Sequence, residues 1–283
     1  MLKFKFNKLK VLFGTSIFTT SLFAASFLIT PLALAEDNIV IPDLGPAGIR
    51  GMTVQAEKNY GEFFMRKANG AGAVTADPVL NEYIDTVGSK LIMNASNVYF
   101  PFEFFLSSDK SLNASAFLGG KVQVNAGLFH YTDNEDEFAS VLAHEISHVT
   151  QRHIARLIEA QTDRTPVSVA SIIGSIVVAL INPTVGMAAL SSSTGLLAQA
   201  GINFTRDNES EADRVGLAVL ARAGYNPMAM SDLFKKLLAQ QGNINPAFSM
   251  LVDHPLSEIR VAETYNLAKN MPKRQNSKNP NFM

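Results

Sequence analysis

The chain has 283 residues, 47% of them hydrophobic and 17% charged, with 24 basic against 25 acidic side chains. Those figures exclude a disordered segment and a collagen-like fibre. The near balance of charge argues against general nucleic-acid binding, which needs basic surface to displace counterions. There is no cysteine, so disulfides, thiolate metal sites and a catalytic thiol are excluded, and any metal must be held by histidines and carboxylates.

The N-terminus reads as an export leader. Lys3, Lys5, Lys8 and Lys10 give a basic end, Val11 to Leu32 follow without a charge, and Ala33-Leu34-Ala35 fits a small-x-small cleavage site. The rival is a retained membrane anchor, because the uncharged run is long enough to cross a bilayer. Cleavage leaves residues 36–283, with 20 basic and 25 acidic groups and a net charge of −5. A bacterial periplasmic protein is the expectation.

Residues 36–50 carry Pro42, Gly45, Pro46 and Gly48 and read as a lead-in loop. Gly51 to Lys67 has helical spacing. A second helix is predicted from Asp77 as N-cap and Pro78 at the first position to about Met93, with the stripe Val79, Leu80, Tyr83, Val87 and Leu91 inward. Phe102 to Leu106 reads as a strand. Lys121 to Asn125 alternates polar and apolar, the pattern of a strand with one buried face, after a Gly119-Gly120 turn.

Thr132 to Glu135 has the form of a capping box and predicts a long helix to about Ala160. Residues 167–200 hold two short uncharged runs broken at Asn182-Pro183. A buried helical hairpin is the plain expectation, and a surface touching membrane or apolar substrate the alternative. Further helices are predicted over Glu209 to Ala223, from Asn226-Pro227 to about Gln241, and over Leu256 to Lys269. A polar tail covers 272–283. The fold class is α+β, mainly helical, with a small sheet.

His144-Glu145-Ile146-Ser147-His148 is an H-E-x-x-H sequence. On a helix, residues four apart lie on one face, so two imidazoles can hold one Zn²⁺. Zinc lowers the pKa of a bound water, and Glu145 beside it can take the proton as that water attacks a peptide carbonyl. A third ligand is required. Besides the motif the histidines are His130, His153 and His254. His153 lies five residues after His148, which turns it off the ligand face of a continuous helix. Spacing does not choose between His254 and the many carboxylates.

Thr205 to Gly216, reading TRDNESEADRVG, resembles the second signature of a zinc peptidase family. That family includes the CAAX prenyl proteases, the HtpX-type heat-shock proteases, the mitochondrial Oma-type proteases and the periplasmic BepA-type proteases. Its pattern is H-E-x-x-H followed by E-x-x-x-D on a later helix. The resemblance implies a zincin-like metallopeptidase domain with one Zn²⁺ per chain. It makes Glu209 the third ligand beside His144 and His148, with Asp213 one turn on, placed to bond a ligand histidine from behind. Glu211 points to a different face. His153 with Arg152 and Arg156 is expected to form a solvated basic face at the end of the motif helix.

Three further pieces match. Leu112-Asn113-Ala114 through Gly120 resembles the family's Asn-Ala segment before an edge strand, reading Asn-Ala-Ser-Ala-Phe where Asn-Ala-Phe is usual. It implies substrate contacts at Asn113 and main-chain pairing of an extended peptide along the strand of Val122 and Val124. His254-Pro255 with Arg260 resembles the late His-Pro…Arg element. His254 then either helps Arg260 stabilise an oxyanion or covers the zinc at rest as a fourth ligand. The likeness is nearest to the BepA type, limited to its protease domain without the tetratricopeptide repeats.

The implied activity is endopeptidase cleavage of unfolded or misassembled envelope polypeptides, including outer-membrane proteins. The alternative is a periplasmic chaperone or scaffold with a latent zinc site. Contact with a membrane surface is a further expectation, and nucleic acid is not a partner.

Overall fold

The computed structural model describes residues 52–164, 195–240 and 246–272. The leader, residues 167–194 of the expected hairpin and the tail after 272 lie outside the described residues. Helix α1 (Val54–Gly70) is capped by Thr53, whose side chain accepts from the Ala56 amide at 3.1 Å. Helix α2 (Pro78–Ile92) starts as its sequence predicts: the Asp77 carboxylate accepts from the amides of Val79 and Leu80, both at 3.0 Å. Of the expected inward stripe, Val87 and Leu91 are buried and Leu80 and Tyr83 pack against the core beside Ile84, whereas Val79 in the first turn is 71% exposed.

Three short strands follow: β1 (Glu103–Ser107), β2 (Ala114–Phe117) and β3 (Lys121–Asn125). Their order is β1-β3-β2, with β3 parallel to β1 and antiparallel to β2. Gly119 and Gly120, at φ 72° and 81°, make the turn between β2 and β3, a backbone that side chains resist. The expected substrate-pairing strand is therefore corrected. β3 is the centre of the sheet, both its edges are taken, and Val122 and Val124 are fully buried. Lys121 is buried too, its ammonium held by Glu62 at 2.8 Å and Glu103 at 2.5 Å. The edges of the sheet are β1, bridged by Thr75 at Leu106, and β2.

A short helix α3 (Ala126–Tyr131) leads to α4 (Glu135–Thr150). Its cap sits two residues later than expected. Asn134 accepts from the Glu137 amide at 3.0 Å, and Glu137 accepts from the Asp133 amide at 2.9 Å. Thr132 instead closes α3, donating to the Leu128 carbonyl at 2.8 Å. Fourteen of the sixteen α4 residues are buried, and only Glu135 and His148 are not. α4 is thus the axis of the domain, reached from outside near His148. Phe138, Val141, Leu142 and Ile146 pack there with Val122, Val124, Leu217, Leu220 and Met230. A smaller cluster joins Phe63, Phe64, Phe105, Phe117 and Ile158.

The motif helix does not run to Ala160. It stops at Thr150, Arg152 takes φ 56°, and α5 (His153–Arg164) begins in a new direction. Helix α6 (Gly195–Arg222) is longer than expected and carries Glu209 and Asp213 within it. Helix α7 (Met228–Gln240) starts at Asn226, whose side chain accepts from the Met228 amide at 3.1 Å. A single turn, α8 (Met250–Asp253), precedes His254, and α9 (Glu258–Ala268) starts at Ser257. No described helix is long and apolar enough to cross a membrane.

Helices α4 and α6 approach closely at Gly216. A Cβ there would lie 3.2 Å from the Ala143 carbonyl and 3.3 Å from the His144 nitrogen. Gly216→Val is expected to destabilise the fold by about 1–3 kcal/mol through overpacking. It should also weaken metal binding, because Glu209 and Asp213 ride on the displaced helix. Thermal unfolding and metal titration check this, and an unchanged Tm would refute the close-packing argument.

Candidate metal centre and active site

Helix α4 sets His144 and His148 one turn apart on one face, and their Nε2 atoms lie 3.0 Å from each other. Helix α6 brings Glu209 against them. Its Oε2 is 3.2 Å from His144 Nε2, and its Oε1 is 3.4 Å from His148 Nε2. The turn after α8 adds His254, whose Nδ1 is 3.1 Å from both Glu209 oxygens and 3.3 Å from His144 Nε2. One ligand atom from each of these four residues falls within 4.8 Å of all the others.

The donor set suits a tetrahedral cation. Ligands at about 2.0–2.1 Å from zinc stand about 3.4 Å from one another, close to the separations found here. His144 Nδ1 lies 2.9 Å from Asp213 Oδ1, so the proton of a neutral His144 belongs on Nδ1 and the Nε2 lone pair faces the Glu209 oxygen. Two acceptors then face each other, and a cation between them resolves the repulsion. Burial alone would push His144 down, yet its bonds to Asp213 and Glu209 lift it to about 10. Burial would push Glu209 up, but His254 and His144 hold it well below the carboxylate range. The pocket is thus built around a positive charge.

Glu145 lies beside this cluster, fully buried. Its Oε2 accepts from the Ala116 amide at 2.8 Å. Its Oε1 makes no hydrogen bond among the described residues and sits 3.3 Å from His254 Nε2. Burial raises its pKa against the pull of His254 and His144. His254 therefore touches the ligand cluster with one ring nitrogen and Glu145 with the other. The loop that carries it is tied down. The Leu112 amide donates to the Ala247 carbonyl at 2.7 Å, and the Met250 amide to the Leu112 carbonyl at 3.2 Å. Asn113 Nδ2 donates to Asp253 at 2.6 Å.

Arg260 is turned toward carboxylates rather than toward open space. Its Nε and Nη2 donate to Asp213 at 2.7 and 2.8 Å. Its Nη1 reaches the Pro255 carbonyl at 2.8 Å and Glu209 at 3.1 Å. This placement gives no support to an oxyanion role. The expected solvated basic face is corrected at His153. His153 is 3% exposed, with Nδ1 2.8 Å from His148 Nδ1 and Nε2 3.2 Å from Glu211 Oε2. Arg152 pairs with Glu57 and Arg156 with Glu211. Sequence reasoning missed His153 and Glu211 because the break at Arg152 has no glycine or proline to mark it. It missed Ala116 because a main-chain amide leaves no side-chain signal.

Fold and site together define a metallopeptidase of the H-E-x-x-H class in a mostly helical, zincin-like domain. The model of peptidase family M48 matches residues 78–268, and the chain belongs to that family. It is 41% identical to the beta-barrel assembly-enhancing protease of Yersinia pestis over 232 residues, 82% of this chain and 48% of that protein. The same identity holds to the beta-barrel assembly-enhancing protease of Escherichia coli K12 over 239 residues, 84% of this chain and 49% of that one. Mitochondrial metalloendopeptidase OMA1 of Schizosaccharomyces pombe is 28% identical over 179 residues, 63% of this chain and 50% of its own. The chain spans about half the length of the curated relatives it matches.

Proposed function

We propose that this chain is a zinc endopeptidase that cleaves unfolded or misassembled envelope polypeptides, outer-membrane proteins among them, and that it rests in a closed state. The observation that carries the reading is the convergence of His144, His148 and Glu209 beside a buried Glu145. His144, His148 and Glu209 would hold the metal, and the nitrogen- and oxygen-only donor set favours zinc. Bound zinc would supply a Lewis acid and acidify water at the site. Glu145 Oε1 takes the proton from the attacking water and returns it to the leaving amine, while the Ala116 amide holds Oε2. Asp213 orients His144, and Arg260 fixes both carboxylates.

β2 is the edge strand beside Glu145, and an extended substrate would pair along it. The Asn125 amide donates to the Asn113 carbonyl at 3.1 Å, so residues 113, 115 and 117 bond inward and the backbones of Ala114 and Ala116 point outward, where Glu145 takes the Ala116 amide at 2.8 Å. Pairing there takes the place of the strand expected at Val122 and Val124. Asn113 has its amide committed to Asp253, so any contact with substrate requires the His254 loop to shift. The leader pattern over residues 1–35 supports a periplasmic location, with the peptidase domain over 36–283.

His254 favours a second reading. It closes the side of the cluster that a catalytic site leaves open, as a chaperone or scaffold with a latent zinc site would have it. One experiment separates the two, using the zinc-loaded chain and a fluorescently labelled unfolded protein. Cleavage is expected to stop on chelation and to return with zinc but not magnesium. His254→Ala is expected to raise the rate several-fold. Cleavage that survives chelation would end the metal-dependent reading. Persistent silence of both wild type and His254→Ala would favour the scaffold.

A further inference from the structure

We propose that His153, backed by Glu211 and Arg156, is a positioning residue that fixes the ring of His148 for metal binding. The inference rests on the metal-centre reading above. For His148 to present Nε2 to the cluster, its Nδ1 must carry the ring proton. That Nδ1 lies 2.8 Å from His153 Nδ1. His148 then donates and His153 accepts, which leaves the proton of His153 on Nε2. That atom faces Glu211 Oε2 at 3.2 Å, and the same oxygen receives Arg156 Nη1 at 2.8 Å. Every proton in the chain is set once His148 turns Nε2 inward.

The other ligand histidine has the parallel arrangement. His144 Nδ1 meets Asp213, and Asp213 is held by Arg260. Each imidazole is thus backed by a carboxylate–arginine pair, His144 directly and His148 through an interposed ring. A second observation comes from the backbone. On a continuous helix His153 would stand about 140° round from His148. It reaches His148 only because Arg152 adopts φ 56°, a conformation that non-glycine residues seldom take. That residue is anchored from outside: its side chain donates to Glu57 and to the Met52 carbonyl. A third observation is burial. His153 is as buried as a core leucine, and a polar ring withdrawn from water keeps both nitrogens bonded, as these are.

The test is a competition titration of the metal-free full chain with Zn²⁺ against a chromogenic chelator. His153→Phe fills the same space but offers His148 no acceptor. It is expected to weaken zinc binding about 10–100-fold, the usual effect of removing a group that orients a ligand histidine. His153→Gln, which keeps an acceptor oxygen, should recover most of that loss. Cobalt substitution should give an altered visible spectrum in His153→Phe and a wild-type one in His153→Gln. If His153→Phe does not fold, Glu211→Ala carries the test, with a weakening of about 10-fold expected. Affinities within twofold of wild type for folded His153→Phe or Glu211→Ala would overturn the proposal. A wild type that takes up no zinc would remove the metal-centre reading and this inference with it.

Discussion

Replacing Glu145 by Gln is expected to lower kcat on an unfolded polypeptide by about 10²–10⁴-fold, the range for loss of a general base, while metal content stays at the wild-type level. Gln keeps the shape of the side chain and an oxygen that accepts from the Ala116 amide, so the 2.8 Å contact to β2 survives. His144, His148, Glu209 and His254 are untouched, so the cluster retains its donors. What disappears is the only carboxylate oxygen beside the cluster that makes no hydrogen bond among the described residues, Glu145 Oε1. Metal analysis and cleavage assays on the same preparations check the separation. Equal cleavage by the two proteins would sink the proposed mechanism. Loss of cleavage together with loss of metal would show that Glu145 acts through structure rather than as a base.

Much of this site is legible in sequence because its parts lie at helical spacings. His144 and His148 are one turn apart, as are Glu209 and Asp213, and both pairs sit on the helices expected to carry them. What local pattern could not give is the direction in which those helices meet. The break at Arg152 depends on Glu57, nearly a hundred residues earlier in sequence, so the chain near His153 holds no cue for it. The central place of β3 is hidden in the sequence for a similar reason. Alternation in Lys121 to Asn125 suggests one solvated face, but a lysine held by two glutamates from other elements can be buried. Strand order depends on pairings between distant segments. The Asn-Ala-Ser-Ala-Phe segment, expected to precede an edge strand, is itself the edge strand β2.

Arg260→Ala is expected to be the most destabilising substitution at the site, costing about 3–5 kcal/mol, the range for breaking a buried ion pair from one side. The guanidinium is 5% exposed by residue and bonds Asp213 with two nitrogens. It also lies 3.1 Å from Glu209 and 5.3 Å from the Phe234 ring centroid. Its removal leaves two carboxylates close together in the interior with one cation fewer. They can be neutralised by taking up a proton or by a metal bound at the histidines. Zinc should therefore rescue Arg260→Ala more than it stabilises wild type, and the difference in Tm with and without zinc reads this directly. Arg260→Lys keeps the charge but not the two-pronged contact. It should fall between the two in stability, with His144 less firmly held because Asp213 is free to turn. If Arg260 served instead to stabilise charge on the substrate, Arg260→Ala would lose activity with little change in the Tm of the zinc-free protein. The two roles thus predict different results in a single melting experiment.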